Sequence, residues 1–184
     1  MKLIGLLGKK RSGKDTVADF LKEKYQYKKM AFADKLKSIC REMFGFTDQQ
    51  LYTDDKEKID DYWNISPRHA LQFIGTDLIR SYMDKLIPHI KNNFWVKVLE
   101  KEYLDTVKNF PEKYIVISDV RFENEVDFIH KYGGTVIKLE RESEYDDVHI
   151  SEKGIDDITN YDILIHNNST LDALYEKIVD NLKL

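Results

Sequence analysis

An apolar run at residues 2–7 (KLIGLL) breaks directly into residues 8–14 (GKKRSGK), and residues 15–21 then return to helical spacing. A G-x-x-x-x-G-K frame between a strand and a helix is a phosphate-binding loop, which commits the chain to an α/β sheet that meets an anion where its first strand ends. Gly8 and Gly13 let the loop turn tightly and let backbone N–H groups approach phosphate oxygens. The helix starting near Gly13 turns its positive end toward the anion, and Lys14 reaches the β- and γ-phosphates as a point charge. Lys10, Ser12 and Thr16 are the accompanying candidates for nucleotide contact. The position after the lysine normally carries a hydroxyl that binds magnesium. Here it is Asp15, a hard oxygen donor able to serve the same ion directly or through water. The alternative is that Asp15 only complements the helix dipole.

Four further β-type runs follow: KKMAFA from Lys28, YIVIS from Tyr114, TVIKLE from Thr135 and DILIH from Asp162. Segments of helical spacing lie between them, as in Val17, Phe20 and Leu21 or Leu171, Leu174, Ile178 and Leu182. The pattern predicts a five-stranded parallel sheet flanked by helices, with ligands beyond the carboxyl ends of the strands. Residues from about 34 to 110 are too many for one crossover and are expected to form a helical insertion; in small kinases such an insertion holds the phosphate acceptor. With 184 residues and no repeat or linker, one domain spanning 1–184 is expected.

Charge narrows the partners. A net charge of −4 argues against polymeric nucleic acid and membrane surfaces. Its distribution is uneven, however. Residues 1–41 carry 12 Lys and Arg against 4 Asp and Glu, which suits an anionic ligand near the loop. Scattered solvated lysines such as Lys22, Lys24, Lys28 and Lys29 account for most of that excess. The single cysteine, Cys40, excludes an internal disulfide and a cysteine metal site, and its apolar surroundings read as core. No apolar run approaches the ~18 residues of a membrane helix. With no leader expected ahead of the loop, the compartment read from the sequence is cytoplasmic.

Further motifs follow in order: AFADKLK after the second strand, PRHALQFIGTDLIR in the insertion, Phe94-Trp95, ISDVRFENE at the third strand and VHISE after the fourth. Together with GKKRSGKDT, they resemble the deoxynucleoside monophosphate kinases of large DNA phages and viruses over nearly the whole chain. The animal-type phosphomevalonate kinases are similar in the phosphate loop and the His-x-Ser-Glu segment. The resemblance implies a P-loop kinase fold, ATP with Mg2+, a deoxynucleoside monophosphate as acceptor, and a homodimer. It leaves the accepted base open.

Individual residues can then be given expected roles. Asp119, where the third strand ends, is a candidate magnesium ligand through water, and Arg121 a bidentate phosphate grip. The alternative for Asp119 is to cap the next helix, with Glu123 and Glu125 solvated. Arg68, Gln72, Thr76 and Arg80 recur every four residues, which puts them on one helix face, with Leu71, Ile74 and Leu78 on the apolar side. Two arginines flanking an amide and a hydroxyl suit a phosphate and a base edge, and the resemblance strengthens this for Arg68, Gln72 and Arg80. Asp34 and Lys37 are candidates for the acceptor pocket, Asp34 alternatively for a helix cap. Trp63 and Trp95 are candidate base-stacking walls, Trp95 being favoured by the resemblance; the alternative for both is core packing in the helical insertion. Arg141 opens an expected lid at about 141–155 and is read as the arginine delivered to the transferring phosphate, the alternative being that it pairs with Glu140, Glu142 and Glu144. His149, Ser151 and Glu152 match the family without an assigned role. Asn167 or Asn168, the latter preferred, is expected beside the adenine. Rival readings are a kinase of another phosphorylated metabolite, such as phosphomevalonate, and a non-catalytic nucleotide-sensing module.

Overall fold

In the computed structural model, which describes residues 3–142 and 154–184, five parallel strands form one sheet in the order β2-β3-β1-β4-β5. β1 (Leu3–Leu7) is buried at every residue and lies at the centre, paired with β3 (Ile115–Val120) and β4 (Thr135–Glu140). β2 (Lys28–Met30) and β5 (Ile163–His166) form the edges. A central parallel strand covered on both faces needs apolar side chains on both, which is why LIGLL and IVIS show no alternation. All five strands expected from the sequence are present.

α1 (Lys14–Tyr25) lays Val17, Ala18 and Leu21 on the sheet, and α7 (Leu171–Leu182) brings Leu174, Ile178 and Leu182 into the same cluster. Burying each such Val, Leu or Ile side chain stabilises the fold by about 1.5–3 kcal/mol. Phe20 stacks on Tyr175 with ring centroids 4.0 Å apart, fastening the two helices. Across the chain, α5 (Phe94–Asn109) presents Glu100 to the end of α6 (Glu123–Lys131). There the buried carboxylate accepts hydrogen bonds from Lys131 Nζ at 2.6 Å and Tyr132 Oη at 2.8 Å, which a buried charge requires.

The chain divides into two compact units, Met1–Ala31 with Leu99–Leu184, and Phe32–Val98. The helical unit is therefore shorter than the expected insertion of 34–110, because residues 99–109 of α5 group with the sheet. It contains α2 (Ala33–Phe44), α3 (Asp48–Tyr52) and α4 (Pro67–Gln72), around a core of Leu36, Cys40, Phe46, Leu51, Ala70, Ile74 and Trp95. Ser66 caps α4 by accepting from the His69 N–H, with Pro67 in the first turn as expected. Cys40 is fully buried, and burial pushes its thiol up to about 11, so it is core and not a nucleophile.

α4 runs directly into a π-helix, Phe73–Arg80. This changes the predicted faces. An i→i+5 helix turns less per residue than an α-helix, which brings side chains five apart nearer to one face. Ile74 and Ile79 accordingly share the core, while Leu78, expected there, is 45% exposed. Among the described residues, no helix is long and apolar enough to cross a membrane.

Candidate active site

The loop between β1 and α1 is held by contacts that tolerate little change. A Cβ on Gly8 would lie 2.5 Å from Leu139 O and 2.6 Å from Ser12 Oγ, so only glycine fits. Gly13, with φ at +105°, caps α1, and a Cβ there would meet Asn167 Nδ2 at 2.6 Å. Asn167, buried just past β5, explains that proximity: its Nδ2 donates to Ser12 O at 3.0 Å, and its own N–H donates to Glu140 O at 2.7 Å. Asn168, the residue preferred from sequence, is exposed and accepts from the Glu142 N–H at 2.9 Å. The neighbouring Asn167 is the one that fastens the loop.

Lys14 is 6% exposed, and its Nζ donates to Lys9 O at 2.6 Å and lies 3.5 Å from Ser12 Oγ. Burial pulls its pKa down to about 7, helped by the positive charge of Arg121 and opposed by the carboxylates of Asp15 and Asp119. Two cations near one another in a place that disfavours charge make a site that an anion stabilises. Lys10 and Thr16 lie half-buried around it, and Ser12 is buried.

Asp119 is half-buried one residue before the end of β3, and Arg121 follows in the turn before α6. Asp119 does not cap this helix. Phe122 occupies the N-cap, and Glu125, 2% exposed, reaches back to accept from the Arg121 N–H at 2.8 Å and the Phe122 N–H at 3.3 Å. Glu125, read from sequence as solvated under the capping alternative, thus fixes the backbone that carries Arg121.

Asp15 is 81% exposed in its side chain, and its Oδ1 accepts from Lys29 Nζ at 3.1 Å. The same ammonium donates to Asp19 Oδ1 at 2.9 Å. Lys29 was expected to be solvated; its side chain is only 26% exposed. Burial pushes its pKa down, but the hydrogen bond to Asp19 and the charge of Asp15 outweigh this and hold it above the ordinary value. Among the described residues, no three His, Cys, Asp or Glu gather as a closed metal site. Magnesium, however, is commonly held by one or two carboxylates together with water and substrate phosphates, and Asp15 and Asp119 near Lys14 fit that requirement.

Within the helical unit, Arg68 Nε lies 3.6 Å from Glu57 Oε1, and Arg80 Nη1 donates to Asn92 O at 3.1 Å. Gln72 and Thr76 are half-buried. The four-residue spacing crosses from α4 into the π-helix after Gln72, and Arg68 and Arg80 are half-buried like the two residues between them. Trp95 is 4% exposed and donates from Nε1 to Gly75 O at 2.8 Å, so it is packed in the core and not presented as a base wall. Trp63 is 41% exposed, set edge-on to Phe44, and donates to the Phe44 carbonyl at 2.8 Å. Asp34 lies in the first turn of α2 but does not cap it, since Phe32 is the N-cap. Lys37 Nζ sits 4.1 Å above the ring of Tyr52. In the sheet unit, Arg141 is exposed just beyond β4, where Glu140 faces Lys138 and His166, each at 3.6 Å. His149, Ser151 and Glu152, with most of the expected lid, lie outside the described residues.

The chain was also compared with known proteins. A family model described as deoxynucleotide monophosphate kinase matches residues 2–56 and 41–178. The chain is 42% identical, over 97% of its length and 95% of the relative's, to a protein of Acanthamoeba polyphaga mimivirus provisionally named a deoxynucleotide monophosphate kinase. It is 28% identical to the deoxynucleotide monophosphate kinase of Enterobacteria phage T4, with both chains fully covered. In fold it is similar to the dephospho-CoA kinase from Campylobacter jejuni, with a TM-score of 0.51, 13% identity, and coverage of 99% of this chain and 96% of that one. A phosphate loop on a five-stranded parallel sheet and a match along nearly the whole sequence lead to one family: this chain is a member of the deoxynucleotide monophosphate kinases.

Proposed function

We propose that the chain transfers the γ-phosphoryl group of ATP to the 5′-phosphate of a deoxynucleoside monophosphate, releasing the diphosphate and ADP. The observation that carries this reading is the meeting of Lys14 and Arg121 with Asp15 and Asp119 where β1 and β3 end. An acceptor phosphate oxygen is already anionic. It attacks the γ-phosphorus while the bond to the β–γ bridging oxygen breaks, and the electron pair leaves with ADP. No strong general base is needed, so catalysis rests on position and on neutralising charge.

Lys14 gathers the β- and γ-oxygens, with the loop N–H groups and Lys10, Ser12 and Thr16 around them. Asp119 and Asp15 would hold magnesium, which when bound would neutralise phosphate charge. Arg121, its backbone fixed by Glu125, takes a phosphate on its guanidinium, and Arg141 adds a cation to the transferring group. In the helical unit, Arg68, Gln72 and Arg80 recognise the acceptor, with Asp34 and Lys37 in support. Trp63, part-exposed, is better placed than Trp95 to meet a base.

A coupled ADP-release assay with Mg-ATP tests this directly, using a panel of ribo- and deoxynucleoside monophosphates and phosphomevalonate. Turnover with a deoxynucleotide is expected. Turnover with phosphomevalonate alone, or with none of the panel, overturns the assignment. We infer a homodimer, supported by exposed apolar side chains such as Met43, Ile59 and Leu86, and a place in the host-cell cytoplasm, supported by the viral relatives. Light scattering showing a monomer at assay concentration removes the dimer from this reading.

A further inference from the structure

Asp15 poses an electrostatic problem that a hydroxyl at this position does not. Its carboxylate sits in the first turn of the helix that receives the phosphates, and like charges repel there unless something intervenes. The helix dipole offsets part of that charge. Lys29 offers a second compensation. It reaches α1 from β2 and places one ammonium 3.1 Å from Asp15 and 2.9 Å from Asp19, one helical turn apart. Two carboxylates hold the ammonium at once, on a stem about three-quarters covered, so it stays beside Asp15 more reliably than a single exposed ion pair would keep it.

We propose that Lys29 is a positioning residue for the phosphate loop: it compensates the charge of Asp15 and lets the loop accept a nucleotide before magnesium is bound. The inference rests on the kinase reading of the loop. A purely structural lysine, paired at the surface or guarding the sheet edge, would affect melting and leave phosphate affinity alone.

The experiment is calorimetric titration of ATP, in EDTA and separately with Mg2+, into the full-length protein and four variants. Lys29→Met is expected to weaken metal-free ATP binding by about three- to fivefold and to weaken Mg-ATP binding less. Lys29→Arg is expected to restore the metal-free affinity. Asp15→Ser combined with Lys29→Met is expected to match Asp15→Ser alone, because the charge that Lys29 compensates is gone. An equal loss from Lys29→Met in both backgrounds overturns the proposal, as does no loss, or wild-type protein that takes up ATP only with magnesium. Protein that binds no nucleotide under either condition fails at the kinase reading itself.

Discussion

The phosphate loop and the helical unit differ in how they hold several of their charged and polar groups. Around the loop, three key groups are fixed by a short bond to or from backbone. Lys14 donates to Lys9 O, Asn167 donates to Ser12 O, and Glu125 accepts from the Arg121 N–H. In the helical unit, Arg80 is tied to Asn92 O, but Arg68 stands 3.6 Å from an exposed Glu57 and Lys37 rests on a tyrosine ring, while Tyr62 and Leu86 are 82% and 76% exposed. The first arrangement suits the triphosphate, the same in every turnover, and is built before it arrives. Under the proposed assignment, the second leaves side chains to settle on the acceptor.

The hardest test of this contrast is Lys14→Ala. Transfer should fall by about 10²–10³ or more, as when a single charge-stabilising group is removed. Thermal unfolding should not occur earlier, because a buried lysine costs the unliganded fold desolvation. A rate within tenfold of wild type would break the comparison at its firm end. Asn167→Ala comes next. Leaving Ser12 O buried without that donor should cost about 1–3 kcal/mol in denaturant unfolding and raise KM for ATP more than for the acceptor. Arg68→Gln should behave the other way round. Its contact to Glu57 is long, so unfolding should shift by less than for Asn167→Ala, about 1 kcal/mol or under. KM for the acceptor should rise about tenfold, as expected for a lost charged hydrogen bond. If Arg68→Gln instead unfolds early with an unchanged KM, its role is structural.

The same contrast decided how much could be read from the sequence. The sheet and the loop were legible because their signals are local: an apolar run for each buried strand, and a glycine wherever a Cβ would collide. Asn167 and Asn168 are hard to tell apart in sequence because they are adjacent polar residues after a strand, and only the turn of the chain shows which one meets Ser12. Lys29 looked like one of many surface lysines; its partners lie 10 and 14 residues earlier on a different element. In the helical unit, the four-residue stripe from Arg68 assumed an α-helix, and nothing in FIGTDLIR announces the i→i+5 pattern that moves Leu78 outward and Ile79 inward. Trp95 was read by type. Its burial depends on Gly75, whose carbonyl takes the indole N–H.

The smallest effect expected is a fraction of a proton, and its sign follows from Lys14. The free protein holds this ammonium near pKa 7, against 10.5 for an ordinary lysine. Between those values the unfolded chain binds more protons than the fold does. The destabilising contribution of Lys14 is therefore fully present below pH 7 and is relieved as pH rises through 7 toward 10.5. A bound polyphosphate acts in the opposite direction, restoring the charged form and raising the pKa. At pH 8, most of the free protein carries neutral Lys14, so binding ADP should take up most of a proton, and affinity should fall as pH rises further. Phosphate second pKa values lie near 6, so above pH 8 the ligand itself contributes almost nothing to the proton count. Calorimetry at pH 8 and pH 9 in two buffers of different protonation enthalpy reads the uptake directly. Zero uptake at both would mean that Lys14 is already charged before the nucleotide arrives, and the loop would then be more hydrated and less fixed than its contacts imply.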